Sequence, residues 1–302
     1  MPELAEAASR TVDLDGRTHY LDFGGPSNAP VLVAVHGLGG AAWNWLALAP
    51  LLRDEVRLIA LDLAGHGLSP AAGRPTTVGA NQRLLGRFLD EVVGEPAVLV
   101  GNSMGGMISV LHAAAAPEHV VGAVLVDPAL PRPMLSRGDP RVALQFAVTV
   151  LPLIGEAAAM RRRRSLSIED QIRRGLELCT VDLTRVPDSV IAEGVRVFSE
   201  RDSGEFPPTD LVSAARSVVR RVANASRLQR AMAAVRAPVL VVHGDKDRLV
   251  PVAAARHAAR RFPAWRLEVA ENVGHVPMLE VPDWTAATIL DWLRDKEILT
   301  TG

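Results

Sequence analysis

The residues of this chain best suited to chemistry begin with Gly101-Asn102-Ser103-Met104-Gly105. This pentad follows the apolar run Ala97-Val98-Leu99-Val100 and precedes Met107-Ile108-Ser109-Val110-Leu111-His112, which reads as helix. A serine between two glycines at a strand-to-helix turn holds its hydroxyl above a helix N-terminus. The turn strains the serine backbone, and side chains two residues either way would strike the adjoining strand and helix. A hydroxyl is a poor nucleophile until a base removes its proton. Of eight histidines, His275 is the best base: it lies in Asn272-Val273-Gly274-His275-Val276-Pro277, a loop just past the last predicted strand. There an imidazole can project over the sheet edge. Asp247, in His243-Gly244-Asp245-Lys246-Asp247-Arg248-Leu249-Val250-Pro251, directly follows a buried-type strand. A carboxylate at that point selects the useful imidazole tautomer and stabilises the imidazolium. Asp245 better fits a turn-forming role. Asp127, at the end of Val124-Leu125-Val126, is a second candidate acid from a different strand.

These side chains need a frame. Residues 9–23 read as two short strands joined at Asp15-Gly16, a hairpin signal. Val31–Val35 is a continuous apolar run, as expected of a strand buried on both faces of a parallel sheet. Similar runs follow at Val56–Leu61, Ala97–Val100, Val120–Val126 and Pro238–Val242, with a weaker one at Arg266–Val269. Helical patterns, for example Asn81–Val93 and Met104–Ala116, separate several of them. Such alternation implies crossover connections and a mostly parallel sheet. Functional residues of such sheets gather at the carboxyl ends of the strands.

The alternation stops between about Leu130 and Val235. Leu211, Ala215, Val218, Val219 and Val222 fall on one face at helical spacing. Pro131, Pro133, Pro140, Pro152, Pro187, Pro207 and Pro208 divide the stretch into short helices. The expected organisation is a core domain over 1–129 and 236–302, with residues 130–235 inserted as a helical cap over the active edge. No internal repeat is seen, and the nearest approach to low complexity is Arg161-Arg162-Arg163-Arg164. That run is expected to be a solvated helix side.

Composition narrows the class. A chain of 302 residues with 48% apolar content can bury a large core. A formal net charge of -1 gives no support for nucleic-acid or membrane-surface binding. Cys179 is the only cysteine, so no intrachain disulfide can form, which fits a reducing compartment. It is expected to be a small buried apolar residue. The N-terminus, Met1-Pro2-Glu3-Leu4-Ala5-Glu6, is acidic where a signal peptide is basic. No apolar stretch of roughly 18 residues suggests a membrane span. The expectation is a cytoplasmic protein acting on a small molecule, with no membrane or nucleic-acid partner.

The order Ser103, Asp247, His275 is that of α/β-hydrolases, and the chain resembles that superfamily over nearly its whole length. Two further stretches carry the resemblance: His36-Gly37-Leu38-Gly39-Gly40 after the third strand, and Asp62-Leu63-Ala64-Gly65-His66-Gly67-Leu68-Ser69 after the next. The resemblance implies a mostly parallel eight-stranded sheet flanked by helices. It further implies an oxyanion hole formed by the backbone amides of Leu38 and Met104. His36 and His66 are expected to serve loop structure. Gly37, Trp43, Asn102 and Val276 are the candidate substrate contacts, with Trp45 and Met278 flanking the site. For Trp43 and Trp45, packing of a helix on the sheet is the competing role.

The chemistry implied is two-step acyl transfer. Ser103 attacks a carbonyl, His275 takes its proton and returns it to the leaving alcohol, and water releases the acid. No metal or organic cofactor is required. Serine in place of aspartate in the elbow argues against dehalogenase and epoxide-hydrolase chemistry. The leading expectation is a carboxylic-ester hydrolase for small or medium acyl groups. The Gly101–Gly106 and 244–251 patterns are also similar to carbon–carbon bond hydrolases of vinylogous diketones. The chain departs from them in lacking their Gly-Pro-Gly at 38–40 and in having Val276 where they usually carry tryptophan. An acyltransferase or perhydrolase, or a slow-turnover receptor on the same scaffold, completes the alternatives.

Overall fold

The computed structural model describes residues 7–133, 139–201 and 205–299. The acidic segment Met1–Glu6 lies outside these. Among the described residues eight strands form one sheet: β1 (Ala8–Asp13), β2 (Arg17–Asp22), β3 (Val31–Val35), β4 (Arg57–Leu61), β5 (Ala97–Asn102), β6 (Val120–Val126), β7 (Val239–Gly244) and β8 (Arg266–Ala270). Their spatial order is β1-β2-β4-β3-β5-β6-β7-β8. The β1–β2 and β2–β4 pairs are antiparallel, and the others are parallel. The fold is therefore α/β with a mostly parallel eight-stranded sheet, as the alternating runs predict.

Alternation within the parallel strands explains their unbroken apolar sequences. Leu32 and Ala34 of β3 enter one core layer, with Trp45, Trp292 and Leu293. Val31, Val33 and Val35 enter the opposite layer, with Phe88, Met107 and Ile108. Both faces are buried, so neither can be polar. The helices flanking the sheet are α1 (Ala49–Leu52), α2 (Val78–Phe88) and α3 (Met104–Ala115). Helix α2 begins three residues before the predicted Asn81, because Thr77 caps it by accepting from the Ala80 amide at 3.3 Å. Its last turn, 89–93, widens and ends at Gly94, whose φ of 73° closes the helix.

Among the described residues, six α-helices lie between β6 and β7: α4 (Pro140–Val150), α5 (Ile154–Ser165), α6 (Ile168–Cys179), α7 (Asp188–Ser199), α8 (Pro208–Ala223) and α9 (Ala225–Ala234). Prolines 140, 187, 207 and 208 stand at or just before helix starts, where a missing N–H costs nothing. The α8 stripe is rotated from the predicted one. Val212, Ala214 and Ala215 are buried, whereas Leu211 and Val219 are each 37% exposed. Tertiary packing on α2 and α4 chooses the face, and the sequence spacing tolerates either rotation. The chain ends with α10 (Ala253–Arg261), α11 (Pro277–Glu280) and α12 (Pro282–Asp295). No helix among the described residues is long and apolar enough to cross a membrane.

Candidate active site

Ser103 stands between β5 and α3 with φ 54° and ψ -112°, outside the regions an L-residue prefers. Crowding imposes this geometry. A Cβ on Gly101 would lie 2.6 Å from the Gly105 carbonyl, and a Cβ on Gly105 would lie 2.1 Å from Val35 O at the end of β3. The backbone is pinned from the next strand: Ser103 N donates to Val126 O at 2.9 Å, and Ala129 N donates to Ser103 O at 3.0 Å. The serine side chain is thus held half-buried at the N-terminus of α3.

The elbow sits where the strand order reverses, between β3 and β5, the usual place for a site in such sheets. The loop after β3 comes close to it. A Cβ on Gly37 would lie 3.1 Å from Ser103 Cβ and 3.0 Å from Asn102 Oδ1. Gly40 N donates to Gly37 O at 3.1 Å, and Gly39 has φ 75°, so the loop is a tight turn carrying Leu38 at its corner. His36 braces the turn. Its Nδ1 donates to Gly37 O at 2.7 Å and its Nε2 accepts from Leu63 N at 3.1 Å. Burial holds the His36 imidazole below its ordinary pKa, which suits this neutral role. His66, with Nδ1 3.1 Å from Ala64 O, is depressed by burial to about 3. Both histidines therefore act in loop structure.

Asp62 organises the same corner from below. It accepts from His19 Nδ1 and Ala42 N at 2.7 Å each and from Leu68 N at 2.8 Å. Burial alone would raise its pKa; the hydrogen bond and charge of His19 hold it below the usual carboxylate range.

His275 and Asp247 meet at the opposite side. His275 Nδ1 donates to Asp247 Oδ2 at 2.7 Å, and both residues are buried. The other Asp247 oxygen accepts from Leu249 N at 2.7 Å and Val250 N at 3.0 Å. Burial pushes the Asp247 carboxyl up, but the charge and hydrogen bond of His275 carry it below its ordinary value. Asp245 is a turn residue: its Oδ1 accepts from Asn272 N at 2.6 Å and it pairs with Lys246. Asp127 ends β6 with φ 45° and is fully buried, its Oδ1 accepting from Gly244 N at 3.0 Å. It makes no hydrogen bond to His275 among the described residues.

Asn102 connects the two halves. Its side-chain amide donates to Val126 O and to His275 O, each at 3.1 Å. The residue preceding Ser103 therefore grips the backbone of the histidine. Ser103 Oγ and His275 make no direct hydrogen bond among the described residues, a common looseness before substrate binds. Val276 is buried in the core layer that also holds Trp43 and Trp45. Trp43 packs against the insertion: a Cβ on Gly194 of α7 would lie 3.1 Å from its ring.

One organising residue escaped the sequence reading. Glu280, 3% exposed, accepts from Gly274 N at 2.8 Å with one oxygen. The other accepts from Val181 N at 3.0 Å and Asp182 N at 3.1 Å. It clamps the His275 loop to the segment after α6, and His275 N donates to Cys179 O at 2.6 Å in the same junction. A lone acid inside the apolar turn Pro277-Met278-Leu279-Glu280 was the available signal. Asp127, His243 and Asp247 also offer metal-type donor atoms within 4.8 Å of one another. Two of these groups have other partners: His243 Nε2 donates to Val250 O at 2.8 Å, and Asp247 holds His275.

The family model described as "Alpha/beta hydrolase family" matches residues 32–288. Among curated proteins, the dihydrolipoyllysine-residue acetyltransferase component of an acetoin cleaving system from Cupriavidus necator is 30% identical over 281 residues, covering 92% of this chain and 67% of that one. A pimeloyl-[acyl-carrier protein] methyl ester esterase from Aromatoleum aromaticum is 29% identical over 280 residues, covering 88% of this chain and 99% of that one. Among solved structures, haloalkane dehalogenase DbeA from Bradyrhizobium elkani superposes with a TM-score of 0.80, covering 97% of this chain and 99% of that one. At 20% identity that likeness concerns the fold.

Proposed function

The chain belongs to the alpha/beta hydrolase family, and from that premise we propose that it is a serine hydrolase of carboxylic esters with small or medium acyl groups. The observation that carries this reading is the strained Ser103 turn, tied through Asn102 to a His275 that donates to Asp247. In this reading Ser103 is the nucleophile, His275 the general base and acid, and Asp247 the orienting carboxylate. The tautomer supports it: with Nδ1–H committed to Asp247, Nε2 carries the lone pair that can take the serine proton.

The alkoxide-like oxygen formed on attack would be held by the amides of Leu38 and Met104. Met104 is the first residue of α3, so its N–H has no partner in the preceding turn and lies at the positive end of the helix. Leu38 lies on the turn whose Gly37 approaches Ser103 Cβ. Val276 and Leu38 would line an apolar acyl pocket, with Gly37, Trp43 and Asn102 shaping it from behind. Residues 130–235 would form the cap that completes the pocket. Ester over carbon–carbon cleavage is favoured by the methyl ester esterase among the relatives and by a departure of the chain itself: 38–40 is Leu-Gly-Gly.

Turnover of p-nitrophenyl acetate and butyrate tests the reading. Wild type should release many equivalents of product per enzyme, and Ser103→Ala should lose on the order of 10⁶ in kcat while folding normally. Retention of most activity by Ser103→Ala would remove the serine from its assigned role.

A further inference from the structure

A second carboxyl group lies beside the first. Asp127, at the carboxyl end of β6, is 0% exposed. One carboxyl oxygen of Asp127 and one of Asp247 lie within 4.8 Å of each other. His243 Nε2 lies 3.5 Å from Asp127 Oδ1 and 3.5 Å from Asp247 Oδ2, bridging the two without a good bond to either. Its hydrogen goes instead to Val250 O at 2.8 Å. Asp127 Oδ1 has a single donor, Gly244 N, and Asp127 Oδ2 has none among the described residues.

The surrounding charges do not compensate two carboxylates. From β7, His243 is kept uncharged, its pKa lowered by burial. From the loop after β8 comes His275, whose Nδ1 is committed to Asp247. From α11 comes Glu280, another carboxylate, which Arg185 reaches at 3.4 Å. From the end of α6 come Cys179 and the carbonyls that take the Arg248 guanidinium, those of Glu177, Leu178 and Thr180. No cation among the described residues pairs with Asp127. Two adjacent buried anions would repel and lack solvation, whereas one shared proton removes the repulsion and leaves a single charge to be solvated.

We propose that Asp127 is a neutral carboxylic acid that donates its proton through Oδ2 to Asp247, making it a positioning residue for the His275–Asp247 pair. Burial and the Asp247 charge raise its pKa well above the ordinary carboxylate value, consistent with this arrangement. The donated hydrogen bond would fix the Asp247 carboxylate in plane with the imidazole and moderate its negative charge. The inference deepens the hydrolase reading, since it concerns the same cluster, but its first test is independent of turnover.

Infrared difference spectra of wild type minus Asp127→Asn at pH 7 read the proton directly. A carboxylic-acid C=O band present in wild type and missing from the variant is expected. Asp127→Ser serves the same subtraction if the Asn variant does not fold. A difference showing only a lost carboxylate band would mean that Asp127 is ionised and would overturn the proposal, whether or not esters are hydrolysed. The acidic limb of kcat/KM against pH supplies the second readout. Asp127→Asn keeps an N–H donor and no charge, so its limb should stay in place. Asp127→Ala removes the donor, leaves Asp247 more strongly negative, and should move the limb toward alkaline pH. If Asp127 were an anion, both variants would delete a nearby negative charge and shift the limb acidward by about one unit or more.

Discussion

The bond from His275 Nδ1 to Asp247 Oδ2 divides the two aspartates by role, and single substitutions should separate them. Asp247→Asn should reduce kcat on the order of 10⁴-fold, because the amide favours the wrong imidazole tautomer. Asp127→Asn should cost far less in the same ester assay. Asp127 also predicts a pH dependence of stability. Its folded pKa lies above the ordinary 3.8. A raised folded pKa adds stability that is complete below the unfolded value and is lost as pH rises toward the folded one. Denaturant titrations should therefore show Asp127→Asn gaining stability relative to wild type as pH rises from about 4; a variant that loses ground to wild type over that range would contradict a raised folded pKa. Cys179 makes a separate prediction. Burial, aided by the charge of Asp247, pushes its thiol up to about 12. At pH 8 native Cys179 should react with a thiol reagent roughly 10³-fold more slowly than an ordinary thiol, and at a normal rate after unfolding. Fast native labelling would place it in a different environment.

At the scale of elements, the elbow depends on two close approaches. Gly105→Ala would drive a methyl group into Val35 O and should cost about 1–3 kcal/mol, read as a lower denaturant midpoint. The His275 loop depends on Glu280. Glu280→Ala strands the buried amide of Gly274 and the amides of Val181 and Asp182, with a cost of about 1–3 kcal/mol for each buried group left unpaired. Stability and kcat should fall together, since the loop that carries His275 loosens; a drop in stability with unchanged kcat would show that the loop holds its place unaided. These two elements differ in how far the sequence revealed them. The glycines of the elbow are local in the chain, and the strand and helix they separate have distinct periodicities, so Gly101 and Gly105 could be understood before any coordinates. Glu280 and Asn102 act across 98 and 173 residues, on Asp182 and His275. No local pattern encodes such partners. Strand ends show the same limit: β5 runs on through Gly101 and Asn102, beyond its apolar stretch, because pairing with β6 continues to Val126.

At the scale of the molecule, the central strands β3 to β7 were legible because burial on both faces forces uninterrupted apolar runs, whereas β1 and β2 were legible from the hairpin signal at Asp15-Gly16. The rotation of α8 was not, because apolar residues occur on two of its faces and packing selects between them. That rotation has a consequence. Leu211 is left 37% exposed and reaches the turn that carries Leu38, its Cδ1 3.7 Å from where a Gly39 Cβ would be. If the insertion closes over the acyl pocket, Leu211→Ala should raise KM for p-nitrophenyl butyrate by up to about tenfold and leave kcat nearly unchanged. An unaltered KM would place the acyl chain away from α8.

In the proposed mechanism one oxygen, that of Ser103, becomes covalently reactive because of groups gathered from distant parts of the chain. Labelling with a fluorophosphonate, followed by mass spectrometry of the digested protein, measures this directly. The result expected is one adduct per chain, on the peptide containing Ser103, with ester turnover lost in proportion to labelling. A stoichiometric adduct on another residue, or full turnover after Ser103 is blocked, would contradict it.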